Sequence, residues 1–528
     1  MASTRPVRGR TAPSAPAIAP TRVAAIDCGA TSVRMLVVEA RADGTRRVLE
    51  RIVHPIALGA DTFRVGHIRP QTLRALGQVL QNLRQVLREL DVNVWRAIGT
   101  SAIRDATNRD VVIDRLYHVS GIRLALLDPS EESRIAYGRL LPFLRALRIP
   151  PRRHVLVLDL GGGSTEILLL RGERIVLGET SRLGVARLLH GAGRPEQPDA
   201  AAFLDATIRD AVSSTREVLR GVSVGELVAV NSVLGAALAH DRRTRRIPGG
   251  LAVAAADLAK ISEEAAVLAP QELRTRFQVN LSVAELLRPA LAILARFTEN
   301  TRVDRVLLTD VDVLAGLVEE ILRDLRGESP LTSFRGQVVD SVTGILEKYG
   351  ADRAHADQVR RLAAALFEAL GRYLDLGEKD GLLLELAALL HDIGRFISDR
   401  DHHKHSLYLI EWSEIVGLGE RDRRLIGLVA RYHRKGRPRP EHLEYGSLSA
   451  EDRMRVAKLA ALLRLADAMD RSHRQLVRRV QVAVGEDELD LAVDAASDLA
   501  VESESVRSKA NLFTDLTGLT VRFRRVMA

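Results

Sequence analysis

The residues of this chain best suited to chemistry stand in two stretches of one design, Ile26-Asp27-Cys28-Gly29-Ala30-Thr31-Ser32-Val33-Arg34 and Leu158-Asp159-Leu160-Gly161-Gly162-Gly163-Ser164-Thr165-Glu166. Backbone N–H groups exposed by a tight turn can hold phosphate. Glycine admits the close approach of an anion, a serine hydroxyl adds a donor, and an aspartate can hold a metal or orient water. Counting seven residues on from each aspartate reaches Arg34 in the first stretch and Glu166 in the second. A cation there can neutralise phosphate charge, and a carboxylate can bind Mg2+ or help position water. A third set, His355, His391-Asp392, His405, His433 and Asp467, is spread through the C-terminal part of the chain. Imidazole nitrogen and carboxylate oxygen can ligate Mn2+, Fe2+, Zn2+ or Mg2+ once packed helices bring them together.

Elements must position these groups. Each of the two stretches follows an apolar β-run (Val23 to Ile26; Val155 to Leu158) and precedes another (Met35 to Val38; Ile167 to Leu170), so each is predicted to be a hairpin. Two hairpins of the same register mark an internal duplication, in which two related lobes face one cleft. The lone Cys28 excludes an internal disulfide framework, fits a reducing compartment and occupies a variable hairpin position as small filler. Residues 1–21, rich in Pro, Ala, Arg and Thr, predict a disordered tail; lobe I spans 22–148 and lobe II 149–328. Helical stretches around 200–220 and 255–295 should cover the second sheet. After Gly327-Glu328-Ser329-Pro330 the pattern becomes almost continuously helical over 329–476, and alternation at Val480, Val482 and Val484 marks a small α/β segment over 477–528.

Further segments follow in order: Gly99-Thr100-Ser101-Ala102-Ile103-Arg104-Asp105-Ala106-Thr107-Asn108, Asp128-Pro129-Ser130-Glu131-Glu132-Ser133-Arg134, and Ser181-Arg182-Leu183-Gly184-Val185-Ala186-Arg187-Leu188. With the hairpins, they make the chain resemble the exopolyphosphatase and guanosine pentaphosphate phosphohydrolase family, which has a duplicated, two-lobed, α/β actin-like ATPase fold. The resemblance implies that Glu132 is the general base for water, that Arg104 grips the terminal phosphoryl group, and that Asp159 and Glu166 hold or orient Mg2+ and water in the inter-lobe cleft. It places Asp27, Gly29, Ser32, Arg34, Gly161, Gly162, Gly163, Ser164 and Thr165 along the phosphate path. As bare sequence, Glu131-Glu132 also opens an amphipathic helical stretch whose first turn favours acids, and Arg104 also fits a surface charge. The second lobe departs from the family at Val228-Ala229-Val230-Asn231-Ser232-Val233-Leu234-Gly235 and at Thr309-Asp310-Val311-Asp312-Val313-Leu314-Ala315-Gly316, and Thr31 replaces a usual Asn. β-Branched residues at 230–234 argue against an anion-binding turn there.

The helical region resembles an all-α HD domain in the contexts Ala388-Leu389-Leu390-His391-Asp392-Ile393-Gly394 and Leu463-Arg464-Leu465-Ala466-Asp467-Ala468-Met469-Asp470. That resemblance implies a divalent metal (Mn, Fe, Zn or Mg) on His355, His391, Asp392 and Asp467. His405 and His433 are then available to a second metal or phosphate, and His402 and His403 are exposed neighbours; vestigial structural polar groups are the alternative. Arg431-Tyr432-His433-Arg434-Lys435 adds a basic edge for an anionic substrate.

Composition agrees with an anion-handling enzyme. The 528 residues carry 77 Lys+Arg against 68 Asp+Glu, a net charge of +9. That balance favours a polyanionic partner. Aromatic residues are only 4%, with no basic-aromatic platform or zinc-finger spacing, which argues against nucleic acid. Without a signal-peptide core or a long apolar run, no membrane is expected and the protein should be cytoplasmic. A homodimer is compatible with these features. The leading expectation is a Mg2+-dependent exopolyphosphatase acting on inorganic polyphosphate. The alternatives are a guanosine pentaphosphate 5′-phosphohydrolase and a non-catalytic polyphosphate or nucleotide sensor.

Overall fold

The computed structural model describes residues 20–41, 43–191, 198–309, 311, 313–326, 334–434, 436–495 and 497–526. Most of the expected tail, the Gly327-Glu328-Ser329-Pro330 boundary, Asp310, Asp312 and Lys435 lie outside the described residues. The chain forms two units, one running up to Leu126 with Leu314–Leu322 and the other holding the remainder.

In the first unit, strands β1 (Thr21–Cys28), β2 (Ser32–Ala40), β3 (Arg46–Pro55), β4 (Val94–Gly99) and β5 (Leu124–Leu126) form a sheet ordered β3-β2-β1-β4-β5. β3-β2-β1 is an antiparallel meander, and β4 and β5 add in parallel through helical crossovers. The interior of β1, Val23 to Ile26, is fully buried. This is the continuous apolar pattern expected of a strand covered on both faces. Arg96 on β4 donates to Glu320 at 3.1 Å, tying the Leu314–Leu322 stretch to this unit.

The second unit repeats the plan. Strands β6 (His154–Leu160), β7 (Thr165–Arg171), β8 (Arg174–Ser181), β9 (Val224–Val230), β10 (Thr244–Ile247), β11 (Gly250–Ala254) and β12 (Arg305–Thr309) are ordered β10-β11-β12-β9-β6-β7-β8. Within it, β8-β7-β6 is antiparallel and β9 and β12 add in parallel, matching β3-β2-β1-β4-β5 strand for strand. The helical stretch expected over 255–295 is three helices, Ala255–Val267, Pro270–Phe277 and Leu281–Thr301. Pro270 takes a helix start, Gln278 turns left-handed, and Asn280 caps the third helix. Among the described residues no single helix is long and apolar enough to cross a membrane. A bent pair, Pro270–Phe277 with Leu281–Thr301, passes by composition, but its Leu287, Leu291, Leu294 and Phe297 are core residues.

Helices Arg335–Lys348, Arg353–Leu370, Glu378–Leu390, His402–Glu411, Glu420–Arg431 and Ala450–Ala468 follow within the second unit. Glu378–Leu390 is buried on nearly every face, as befits a central helix. Arg335–Lys348 joins this bundle to the second sheet: Phe334 packs edge-on to Tyr137, and Val338 and Val342 enter one continuous core with Leu168, Leu170 and Ile175. A sheet of β13 (Val477–Val484), β14 (Glu488–Ala495) and β15 (Thr520–Val526) closes the chain, with two helices in the parallel crossover.

Candidate functional site

The seven-residue offset read in the sequence is a cross-strand pair in both hairpins. Asp27 lies opposite Arg34 on β1 and β2, and Asp159 lies opposite Glu166 on β6 and β7. Asp27 is 1% exposed, and its Oδ2 accepts from Arg34 Nη2 at 2.5 Å and Nε at 3.2 Å. In the second hairpin two carboxylates stand side by side. Like charges directly opposite are unfavourable, and a hard cation suits such an oxygen pair. Glu166 is buried, and its Oε1 accepts from Ser164 Oγ at 2.9 Å. Cys28 is fully buried; burial and then the neighbouring Asp27 carboxylate push its thiol well up, so it is held neutral.

Both turns close with the same bond, from Gly29 N to Ser32 O at 3.0 Å and from Gly161 N to Ser164 O at 2.9 Å. A Cβ on Gly161 would sit 2.9 Å from that carbonyl oxygen, so the turn requires glycine. The next three carbonyls are all engaged from one side. Gly161 O accepts from Val185 N at 3.0 Å, Gly162 O from Ala186 N at 2.8 Å, and Gly163 O from Arg187 Nε at 2.7 Å. Gly184 lets this segment approach, since a Cβ there would lie 2.2 Å from Gly163 C. Across a trans peptide each N–H points away from the carbonyl before it, so with these carbonyls taken the N–H groups of Gly162, Gly163 and Ser164 point away from the Val185 to Arg187 segment, the direction that an anion-binding turn requires. In the first hairpin Ala30 O and Thr31 O are held likewise, by Gly59 N and Ile56 N at 2.7 and 3.1 Å. The structure corrects one residue of the expected phosphate path: Thr165 is wholly buried and its hydroxyl donates to Leu183 O, so it fastens the hairpin instead of facing phosphate.

Arg104 ends the short helix Ser101–Arg104 beyond β4, whose Gly99 pairs with Cys28, so it stands on the same strand-end side as the first hairpin. Its Nε lies 3.9 Å from Asp105 Oδ1. Asn108 accepts from Ile68 N and donates to Ile68 O. Glu132 lies in the first turn of the helix Pro129–Ala146, within the second unit. Asp128 caps that helix by accepting from Ser130 N at 2.9 Å, while Glu131 Oε2 accepts from Asp128 N at 3.3 Å. The cap therefore uses Glu131, and Glu132 is the carboxylate of the pair outside it. At 228–235 the strand runs straight into a helix: Asn231 accepts from Leu234 N at 2.8 Å and donates to Leu160 O at 2.6 Å.

The helices of the second unit assemble a cluster of imidazoles and carboxylates. His355 Nε2 and His391 Nε2 are 3.2 Å apart, with Asp467 Oδ1 at 3.5 and 3.9 Å from them. Beside these, His402 Nε2 and His433 Nε2 are 3.3 Å apart, with Asp392 Oδ1 at 3.2 and 3.6 Å. Asp392 Oδ1 is also 3.8 Å from His391 Nε2, so the two groups adjoin. Each imidazole has an acceptor at Nδ1: Asp470 at 2.8 Å for His355, Ala388 O at 2.8 Å for His391, Asp399 O at 2.9 Å for His402 and Ala430 O at 2.6 Å for His433. A proton on every Nδ1 leaves every Nε2 lone pair directed into the cluster, the arrangement that suits a metal. Burial pushes the His391 and His433 rings down. Against burial, Lys509 and His355 hold the Asp467 carboxyl well below its ordinary range.

Two readings of this region need correction. His402 is buried within the cluster and is no exposed neighbour, whereas His405 belongs to none of the ligand groups found among the described residues. The inward stripe of the helix His402–Glu411 runs through His402 and Ser406, four residues apart, and Ser406 Oγ donates to His391 O at 2.6 Å. Asp470, one turn after Asp467, was legible by spacing. Lys509, which donates to Asp467, carried no local signal. A cavity of about 790 Å³ adjoins the cluster, with Arg395, Arg434, Arg471 and Lys509 in its lining.

Comparison with known proteins agrees with this architecture. The Ppx/GppA phosphatase family matches residues 37–323, and Ppx/GppA phosphatase, domain III, matches residues 339–509. The guanosine-5'-triphosphate,3'-diphosphate pyrophosphatase of Vibrio vulnificus (strain YJ016) is 25% identical over 484 residues, covering 89% of this chain and 92% of the relative. The like-named protein of Vibrio parahaemolyticus is 25% identical over 498 residues, covering 91% and 95%. Among solved structures, an exopolyphosphatase from Cytophaga hutchinsonii ATCC 33406 shares the fold with a TM-score of 0.51 at 18% identity, over 59% of this chain and 99% of that one. With more than half of its length matched by the family, the chain belongs to the Ppx/GppA phosphatase family and is a hydrolase of phosphoric anhydrides.

Proposed function

We propose that this chain hydrolyses the terminal anhydride of the 5′-triphosphate of guanosine pentaphosphate, with Glu132 as the general base. The observation that carries the chemistry is the turn at Gly161–Ser164, whose three glycine carbonyls are taken by the segment Val185 to Arg187, beside Asp159 and Glu166. The nucleotide is supported by the names of the full-length relatives from Vibrio, which makes this reading stronger than the polyphosphatase expected from the sequence. In the proposed reaction, water attacks the terminal phosphorus in line as Glu132 takes its proton. The bridging P–O bond breaks, and the shortened nucleotide leaves beside inorganic phosphate. In the second unit the amides of Gly162 to Ser164 bind and orient the phosphates, and by resemblance to the family Arg104, Gly29 and Ser32 of the first unit have the same role. Asp159 and Glu166 are the residues that would hold Mg2+, which when bound would neutralise charge on the phosphoryl oxygens.

In the same reading residues 329–476 are an HD-type domain with a divalent metal on His355, His391, Asp392 and Asp467, joined by His402 and His433. The lone buried Cys28 fits a cytoplasmic setting. Polyphosphate is the second reading, favoured by the 228–235 segment, where an Asn-capped helix stands in place of a flexible turn.

Phosphate release from both substrates in competition tests the assignment. Glu132→Gln keeps packing but cannot accept the proton, so turnover should fall by roughly 10²–10⁴-fold while substrate still binds. Near wild-type turnover in this variant would remove Glu132 from the mechanism. Faster hydrolysis of polyphosphate than of the nucleotide would reverse the ranking of substrates.

A further inference from the structure

The helix that carries Glu132 is held at its start by a segment of the bundle nearly 300 residues away in sequence. Gly417 N donates to Ser130 O at 3.1 Å. Arg423 Nη1 donates to Ser130 Oγ at 3.1 Å and to Leu418 O at 2.6 Å, and lies 3.5 Å from Asp128 Oδ1. The Arg423 side chain is only 14% exposed, so these contacts are made largely out of water. The same segment reaches β8, where Thr180 N donates to Glu414 Oε2 at 2.8 Å; Thr180 is the register partner of Glu166. One stretch, Glu414 to Arg423, thus grips neighbours of Glu132 and of Glu166, two of the three carboxylates on which the proposed chemistry of this unit turns.

We infer that Arg423 is a positioning residue for Glu132, setting through Asp128 and Ser130 where that carboxylate stands. This rests on Glu132 being the base, as proposed above. The mechanical link is short. Glu132 N donates to Asp128 O at 3.0 Å, the first bond of the helix, so a shift of the cap moves Glu132 directly. The cap alone satisfies the local backbone; what Arg423 adds is a fixed point outside the helix. A general base must be held within about 0.5 Å of its working position, and a displacement of about 1 Å can cost on the order of 10²-fold in rate. Binding of the phosphates, by contrast, depends on the hairpin turns, which Arg423 does not touch. Its loss should therefore appear in kcat and not in KM.

The test is steady-state hydrolysis of guanosine pentaphosphate by the full chain as Arg423→Ala, Arg423→Lys, Glu132→Gln and the double variant Arg423→Ala with Glu132→Gln. Arg423→Ala should lower kcat by about 10–100-fold with KM within about twofold. A lysine retains the charge and enough donors for the same acceptors, so Arg423→Lys should recover most of that loss. In the Glu132→Gln background the alanine change should cost nothing further, because coupled residues are not additive. Wild-type kcat in Arg423→Ala, an equal loss in both backgrounds, or a lysine variant as poor as alanine would each overturn the inference. Where Arg423→Ala does not fold, Asp128→Asn carries the test, since asparagine still caps the helix but gives up the charge facing Arg423. It should lower kcat at unchanged KM, and wild-type kcat there would overturn the inference equally. Failure of the underlying reading looks different: Glu132→Gln itself would then turn over like wild type.

Discussion

The two hairpins share strand order, register and turn bond, and differ in what faces the aspartate. In the first, Arg34 lies against Asp27 and the buried carboxylate is neutralised from within the chain. In the second, Glu166 lies against Asp159, so two carboxylates share one cross-strand position beside the glycine turn at Gly161–Ser164. A structural ion pair and a candidate cation site thus differ by one side chain on one scaffold. The bundle shows a third solution. Asp467 turns one oxygen to His355 and His391 and the other to the Lys509 ammonium, so an internal cation and metal-type ligands share one carboxylate. Where the counter-charge comes from decides what a buried carboxylate can do.

The strongest way to break the contrast is Glu166→Arg, which rebuilds the second hairpin as a copy of the first. The sheet should survive, because the first hairpin shows that the pair is compatible with this register. Hydrolysis should fall by about 10²-fold or more, and activity should lose its dependence on added Mg2+. Retained Mg2+-dependent turnover would separate Glu166 from the metal. The converse change, Arg34→Met, leaves Asp27 buried without its partner. Urea unfolding should show a loss of on the order of 2 kcal/mol, below the range for fully buried pairs because Arg34 is partly exposed. An unchanged midpoint would mean that the pair contributes no stability.

The bundle offers a pH test of the same idea. Burial alone would lower His355, but Asp467 and Asp470 raise it to about 9. A folded-state value above the ordinary 6.5 contributes stability that is fully present below pH 6.5 and is lost as pH rises through about 9. Chelator-treated protein should therefore melt progressively lower across that window. Metal-loaded protein should not follow it, because metal competes with the same proton. Coincident melting profiles with and without metal would exclude ligation by His355. The smallest effect expected is that of His405→Ala, with unchanged metal content by elemental analysis, against a measurable loss in His402→Ala. The opposite result would restore His405 to the ligand set.

Much of this was legible in the sequence. The β-run, turn, β-run pattern repeated around Asp27 and Asp159 specified both hairpins and their common register, because side-chain alternation in a strand has a period of two and a slip would turn every apolar residue outward. The glycines at 161 to 163 and the order of Arg104 and Glu132 along the chain could likewise be read directly. The single stretch expected over 255–295 went astray because apolar helical periodicity continues across Pro270 and Asn280, whose effect is local and does not interrupt it.

What the tertiary structure alone decided is which side chains meet across long separations. Helical spacing specifies a face, not its partner, so His402 could be told from His405 only once Ser406 was seen against His391 and Gly394. Lys509 beside Asp467 and Arg423 beside Asp128 join residues with no shared local pattern, and packing brings them together through the burial of apolar faces elsewhere. Thr165, set in the middle of a phosphate-type motif, had its hydroxyl claimed by Leu183 for the same reason. Sequence determines which chemistry each segment can offer; whether a given donor is left for a substrate depends on which acceptor the fold puts beside it.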